Sequence, residues 1–262
     1  MIIAAGDSFV YGSELASPAN TFTALLGADE CVAWPGYGND SIARTVIERC
    51  EGPRIASEVT GVVVSWTFPG RYEFRFNYDT RQKKSPWYAI NAWTIKSNID
   101  SIKEEFVTDN PAILEDQKKT INRAKQTGVA NFADVFYKHV GGSEYWEIYS
   151  TLKEIVYLQN YLTVKEIPYM FTCADSIIFY NQTLKNADDT LYSLFKQIDR
   201  KKWFLFDAGI NPQDTPTPRG FYQWAVENKY AIGTTHPLEA AHADAAKLMK
   251  DKFDELVTKH IQ

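Results

Sequence analysis

One continuous apolar run, Gly61-Val62-Val63-Val64-Ser65-Trp66, constrains the fold of this chain more than any other segment. A strand with one face in water alternates apolar and polar residues, and this β-branched run does not. It must be covered on both faces, which is the situation of a central strand in a parallel sheet with helices on either side. The rest of the chain fits that frame, because short apolar runs alternate with helical patterns. Met1–Ala5 reads as a first strand, Cys31–Ala33 as a second, Ile167–Thr172 as a fourth and Trp203–Phe206 as a fifth. Between them, Thr21–Leu26 reads as a short helix capped by Asn20. Asp40–Cys50 reads as a helix with Ile42, Val46 and Ile47 on one side and Asn39 or Asp40 as cap, and Glu147–Val164 as an amphipathic helix. A long terminal helix is expected from Pro237 to Ile261, with apolar residues at three- and four-residue steps and Pro237 in its first turn.

The expected architecture is therefore α/β: three layers, α/β/α, around a parallel sheet of about five strands, flavodoxin-like in outline. At 262 residues the chain suits one domain, with an insertion at about 70–142 where the alternation breaks. That insertion holds Tyr72, Phe74, Phe76, Tyr78, Trp87, Tyr88 and Trp93, then a polar helical segment over about Ser97–Lys125. Rings at alternating positions suit either a half-buried strand or a wall beside a ligand.

Net charge narrows the partners. A net charge of −5 argues against a nucleic-acid backbone as the main partner, since that needs a basic face, although a local basic patch is compatible with it, and no stretch approaches the roughly 20 apolar residues of a membrane span. The N-terminus has no basic region and too short an apolar run for a signal peptide, so synthesis as a soluble product is expected. Cys31, Cys50 and Cys173 are odd in number and widely spaced, which suggests buried small side chains rather than disulfides or a zinc site.

In an open parallel sheet, ligands bind outside the carboxyl ends of the strands. Strand 1 delivers Gly6-Asp7-Ser8 there, strand 2 Pro35-Gly36-Tyr37-Gly38-Asn39-Asp40, and strand 3 Ser65-Trp66-Thr67, while the last helix follows Thr234-Thr235-His236-Pro237. A serine in a tight strand-to-helix turn, backed by glycine, is a sensible nucleophile, since the following N–H groups face any negative charge that develops. Gly-Asp-Ser alone arises by chance in roughly one chain of this length in fifteen to twenty. Its place after an N-terminal strand, paired with a His-Pro opening a C-terminal helix, carries more weight. The plain alternative is an N-capping serine.

Here the sequence resembles the SGNH/GDSL hydrolases. GDSFVYG at 6–12 looks like the nucleophile block, and PGYGND at 35–40 like the glycine block. VVVSWTFPGRYEF at 62–74 occupies the place of the third block, and HPLEAAH at 236–242 looks like the last. The Trp66-Thr67 pair with Arg71-x-Glu73 is similar to SGNH-like proteins of tailed bacteriophages. The resemblance implies a serine esterase with Ser8 as nucleophile, His236 as base and Asp7 beside them in the catalytic block. Gly36 would be a backbone oxyanion donor, Asn39 or Thr67 a side-chain donor, and Trp66 and Arg71 neighbours of the substrate. Arg71 would either hold an anionic group or pair with Glu73. It implies no metal or organic cofactor. A glycan or small-molecule ester is the implied substrate, an O-acetyl group on a surface glycan among them, and virion proteins are implied as partners.

Two departures stand out. Thr67 stands near the position where the family's third block has asparagine, and Gly233 where the last block has aspartate. Without that carboxylate the imidazole tautomer must be set by another group, for which Glu73 and Asp207 are candidates. His242 reads as a helix-surface residue or one behind the site, because six residues is not a same-face spacing with His236. His139 sits beside a Gly-Gly loop with no evident partner. A haloacid-dehalogenase reading of Asp7 fails because Phe9 stands where a second acid is needed, and only Gly12 and Ser13 suit an FMN phosphate loop. The rival from another class is a virion structural or carbohydrate-binding protein that kept the fold and lost the chemistry.

Overall fold

A computed structural model describes residues 1–52, 59–75, 87–91, 128–179, 188–207 and 218–260. The helical segment expected over Ser97–Lys125, and Phe76, Tyr78 and Trp93, lie outside them. The elements in order are β1 (Ile2–Ala5), α1 (Ser8–Tyr11), α2 (Phe22–Leu26), β2 (Glu30–Cys31), α3 (Asn39–Glu51), β3 (Gly61–Trp66), β4 (Tyr72–Arg75), β5 (Trp87–Ile90), α4 (Val129–Phe136), α5 (Glu144–Val164), β6 (Tyr169–Cys173), α6 (Asp189–Phe195), α7 (Phe221–Glu227) and α8 (Glu239–Leu256). The fold is α/β. Its sheet has the order β2-β1-β3-β6, and every neighbouring pair is parallel.

The period-two rule explains why the Val62–Trp66 run is apolar throughout. Val62, Val64 and Trp66 point to one face with Ile3, Ala5 and Phe171, where Ile42 and Val46 of α3 and Leu152 and Ile155 of α5 cover them. Val63 points to the other face with Ile2, Ala4 and Met170, beneath Phe22 of α2, Phe221 of α7 and Ala241, Met249 and Phe253 of α8. The sheet is thus wrapped by helices on both sides. The terminal helix is shorter than expected. Leu238 caps it, and Pro237 instead pairs with Ile232 in an isolated antiparallel bridge just before it.

Other expectations need correction. The fifth strand is reduced to one parallel bridge, Phe171 to Trp203, because the chain turns at Phe206 to pair with Arg219. Thr21, not Asn20, caps α2 through its hydroxyl. Gly38 is the cap of α3, since the Asn39 and Asp40 side chains are engaged elsewhere: Asn39 with Thr67, Asp40 with the backbone of Ser41 and Glu73. Among the cysteines only Cys173 is fully buried, whereas Cys31 is exposed at the sheet edge.

Strands β4 and β5 form an antiparallel pair beyond the end of β3. Tyr72, Ile90, Val129, Ala130 and Ala133 bury a small core of their own there. Tyr72 and Phe74 pack edge-on against Phe136, so in these two rings the alternating pattern serves packing. Arg44 of α3 ties the pair to the main body through a two-pronged contact with Glu73, 2.5 and 2.7 Å.

Candidate active site

The turn after β1 is built around Asp7. Its Oδ1 accepts from Phe9 N (3.1 Å), capping α1, while Oδ2 accepts from Thr67 Oγ1 (2.5 Å) and Arg71 Nη1 (2.9 Å). Gly6 has no alternative in this turn, because a Cβ there would lie 2.5 Å from Val10 Cγ2. The turn sets Ser8 on the first position of α1, largely buried, with its hydroxyl 2.7 Å from His236 Nε2.

His236 sits at the tip of a tight loop closed by Gly233 N to His236 O (2.8 Å) and Leu238 N to Ala231 O (3.0 Å). The ring packs on Phe9, centroid to centroid 4.9 Å. Its Nδ1 meets Glu14 Oε1 at 2.8 Å, and Thr235 Oγ1 donates to the same oxygen at 3.1 Å. The network assigns the proton to Nδ1, facing the carboxylate, which leaves the Nε2 lone pair for the serine hydroxyl. Burial pushes the Glu14 carboxyl up, but His236 and the Thr235 and Thr234 N–H groups outweigh it and hold it below its ordinary value. Glu14 adopts a left-handed backbone, φ +68°, which costs roughly 1–2 kcal/mol for a non-glycine residue. Thr234 N (2.5 Å), Thr235 N (3.2 Å), Thr235 Oγ1 and His236 offset that cost by converging on the one carboxylate. A second link runs beside it, from Ala16 N to Glu239 Oε1 (2.8 Å).

Glu14 is the residue that sequence reasoning missed. Neither expected replacement acts on the ring: Glu73 is bound by Arg44, and Asp207 lies exposed just past Phe206. The only signal in the sequence was Gly233 itself, where an expected acid is missing. A Cβ on residue 233 would overlap Glu14 Oε2, so the glycine opens the space that the Glu14 carboxylate fills.

The side-chain oxyanion candidates are committed elsewhere. Thr67 has a single hydroxyl proton and gives it to Asp7. Asn39 Nδ2 donates to Thr67 O (3.2 Å) and Thr151 Oγ1 (3.2 Å), and its Oδ1 accepts from Thr67 N (2.9 Å). Asn39 therefore clamps the end of β3 rather than presenting a donor. Trp66 is not at the site either. Its parity on β3 turns it into the core, 1% exposed and edge-on to Phe171. Arg71 pairs with Asp7, not Glu73, and its guanidinium lies 5.2 Å over the Phe68 ring. Asp7 touches neither the serine hydroxyl nor the imidazole, so its part is to hold the turn. Among the described residues the backbone N–H groups of Ser8 and of Gly36 have no intramolecular acceptor, the latter in a left-handed turn at φ +86°.

His242 is buried, contrary to the helix-surface reading. Its Nδ1 accepts from Phe22 N (3.1 Å) and its ring stacks on Phe22. Burial drives its pKa down to about 4 against the opposing charge of Glu239, with a smaller downward push from His236. His139 lies exposed in a π-helical turn, Tyr137–Gly141. Among the described residues no cluster of histidine, cysteine, aspartate and glutamate is arranged to hold a metal ion.

Fold and site together define a parallel α/β protein whose sheet rim carries a serine, imidazole and carboxylate in hydrogen-bonded series. No protein-family model matches the chain, and the curated proteins give no match. Among solved structures the chain is similar to a two-domain esterase active on acetylated mannans, co-crystallized with mannopentaose. The TM-score is 0.39 at 10% identity, covering 98% of this chain and 49% of the esterase, so the chain spans about half that protein's length.

Proposed function

We propose that this chain is a serine esterase of the SGNH/GDSL type, and the observation that carries the reading is the 2.7 Å contact between Ser8 Oγ and His236 Nε2. His236 takes the serine proton as Oγ attacks the ester carbonyl. The oxyanion that forms accepts from the N–H groups of Ser8 and Gly36, and loss of one such donor typically costs about 3–4 kcal/mol in the transition state. The imidazolium, facing the Glu14 carboxylate, then gives its proton to the leaving alcohol. Water repeats the cycle on the acyl-enzyme and releases the acid. The groups doing this are all side chains and backbone of this chain.

As to substrate, an O-acetyl group on a carbohydrate is our reading. The Trp66-Thr67 and Arg71-x-Glu73 signature, similar to tailed-phage proteins, supports a surface glycan met by a virion. The rival, a silent scaffold, drew on two departures from the family pattern. The Glu14 carboxylate on His236 Nδ1 in place of the missing aspartate, and the Ser8 and Gly36 N–H groups in place of the altered oxyanion residue, support the enzyme reading over it.

Incubation with a fluorophosphonate probe and with p-nitrophenyl acetate tests the reading. Labelling of Ser8 and ester turnover, both abolished in Ser8→Ala, are the expected result. A folded wild-type protein that neither labels nor turns over would establish the scaffold instead.

A further inference from the structure

Two large aromatic side chains stand in solvent on the same rim of the sheet as Ser8: Trp34, 56% exposed, and Tyr11, 37% exposed. They meet edge to face, centroids 5.2 Å apart. Single exposed rings are ordinary on protein surfaces, but this pair is placed by the elements that carry the reacting groups. Tyr11 ends the one-turn helix that Ser8 begins, and residues three apart on a helix are neighbours at roughly 5–6 Å between Cβ atoms. Trp34 follows β2 and precedes Gly36 by two residues, in the loop that offers the second free N–H.

Tyr11 also forms one wall of a mostly apolar groove of about 210 Å³, shared with Val10, Pro18, Ala28 and Asp29. That volume falls below the roughly 300–1,000 Å³ of pockets for drug-sized ligands and suits a single ring. The lining sorts ligands by chemistry. Asp29, whose Oδ2 is engaged by Ile2 N (2.7 Å), can accept from a hydroxyl of a polyhydroxylated ligand, and two exposed aromatic rings offer apolar surface to the C–H face of a ring.

We propose that Tyr11, Trp34 and this groove form a subsite for a pyranose unit of the glycan whose ester Ser8 cleaves. The proposal rests on the esterase reading above and adds where the sugar sits. The unit stacks on Trp34 and Tyr11, and its hydroxyls reach Asp29.

The test uses the full chain with Ser8→Ala, which binds without turnover, titrated by calorimetry with chemically O-acetylated manno-, xylo- and chito-oligosaccharides. At least one series is expected to bind. Adding Trp34→Ala should then raise Kd about tenfold, a loss on the scale of an aromatic contact, and Trp34→Phe should recover most of it. Because Trp34 is exposed, these variants fold, which a thermal melt verifies. If wild-type Ser8 labels with fluorophosphonate but no oligosaccharide binds, or Trp34→Ala binds as well as its parent, the subsite is wrong and the esterase reading stands. If Ser8 fails to label at all, the esterase reading falls and the subsite falls with it.

Discussion

The Glu14 carboxylate and the missing side chain of Gly233 share one volume: a Cβ on residue 233 would collide with Glu14 Oε2. An acid reaching His236 from the loop after α1 thus excludes an acid reaching it from the histidine loop. This relationship makes a swap experiment possible. Glu14→Ala should lower kcat on p-nitrophenyl acetate by about a hundredfold or more, since an imidazole in the wrong tautomer is a poor base. Gly233→Asp alone should also be harmful, through the clash. The double variant Glu14→Ala/Gly233→Asp should recover at least tenfold over Glu14→Ala. Steady-state kinetics on the four proteins decides it, and a double variant no better than Glu14→Ala would exclude the shared role.

Asp7 carries a different expectation. Its carboxylate is fully buried and paired with Arg71, and removing one partner of such a pair costs about 3–5 kcal/mol. Asp7→Ala should show that loss in urea denaturation. Arg71→Met made on top of it should cost much less than it does in the wild type, because the charge it would strand is already gone. Additive losses would show that the two residues do not act as a pair.

Gly36 tests the oxyanion hole. At φ +86° alanine is strained, so Gly36→Ala should tilt the N–H away and lower kcat by about 100-fold while KM changes little. Thr67→Val should instead act mainly on stability, since its hydroxyl serves Asp7. A larger kcat loss in Thr67→Val than in Gly36→Ala would return the oxyanion role to the threonine.

His242 sets a pH dependence. Its folded pKa, about 4, lies below the ordinary 6.5, so the unfolded chain binds the proton more tightly. The stabilisation is fully present above pH 6.5, is lost as pH falls toward 4, and amounts to about 3 kcal/mol at most. His242→Asn keeps an acceptor for Phe22 N and removes the titration. The stability difference between wild type and variant, measured by denaturant melts from pH 4 to 7, should therefore shift against the wild type as pH falls. A difference flat across that range would rule this out.

The fold was legible because its signals are local. The Val62–Trp66 run needs cover on both faces, and Gly6-Asp7-Ser8 follows a strand and opens a helix, so both the parallel sheet and the place of Ser8 in it could be read residue by residue. Trp203–Phe206 misled because an apolar run states only that a segment is buried. Whether it pairs along its length depends on where the chain goes next, and here it turns at Phe206 toward Arg219. Trp66 misled differently: proximity to Thr67 in sequence suggested the site, while strand parity put it in the core.

From sequence alone came the α/β class and a candidate pairing of Ser8 with His236, because periodicity and turn chemistry act over a few residues. Which acid faces the imidazole, and which donors remain free, was decided only by tertiary structure. Glu14 lies 222 residues from His236, and no short-range preference links them. Likewise the Asn39 and Thr67 side chains have the right chemistry for an oxyanion, but packing against Thr151 and Asp7 had already used their hydrogen bonds.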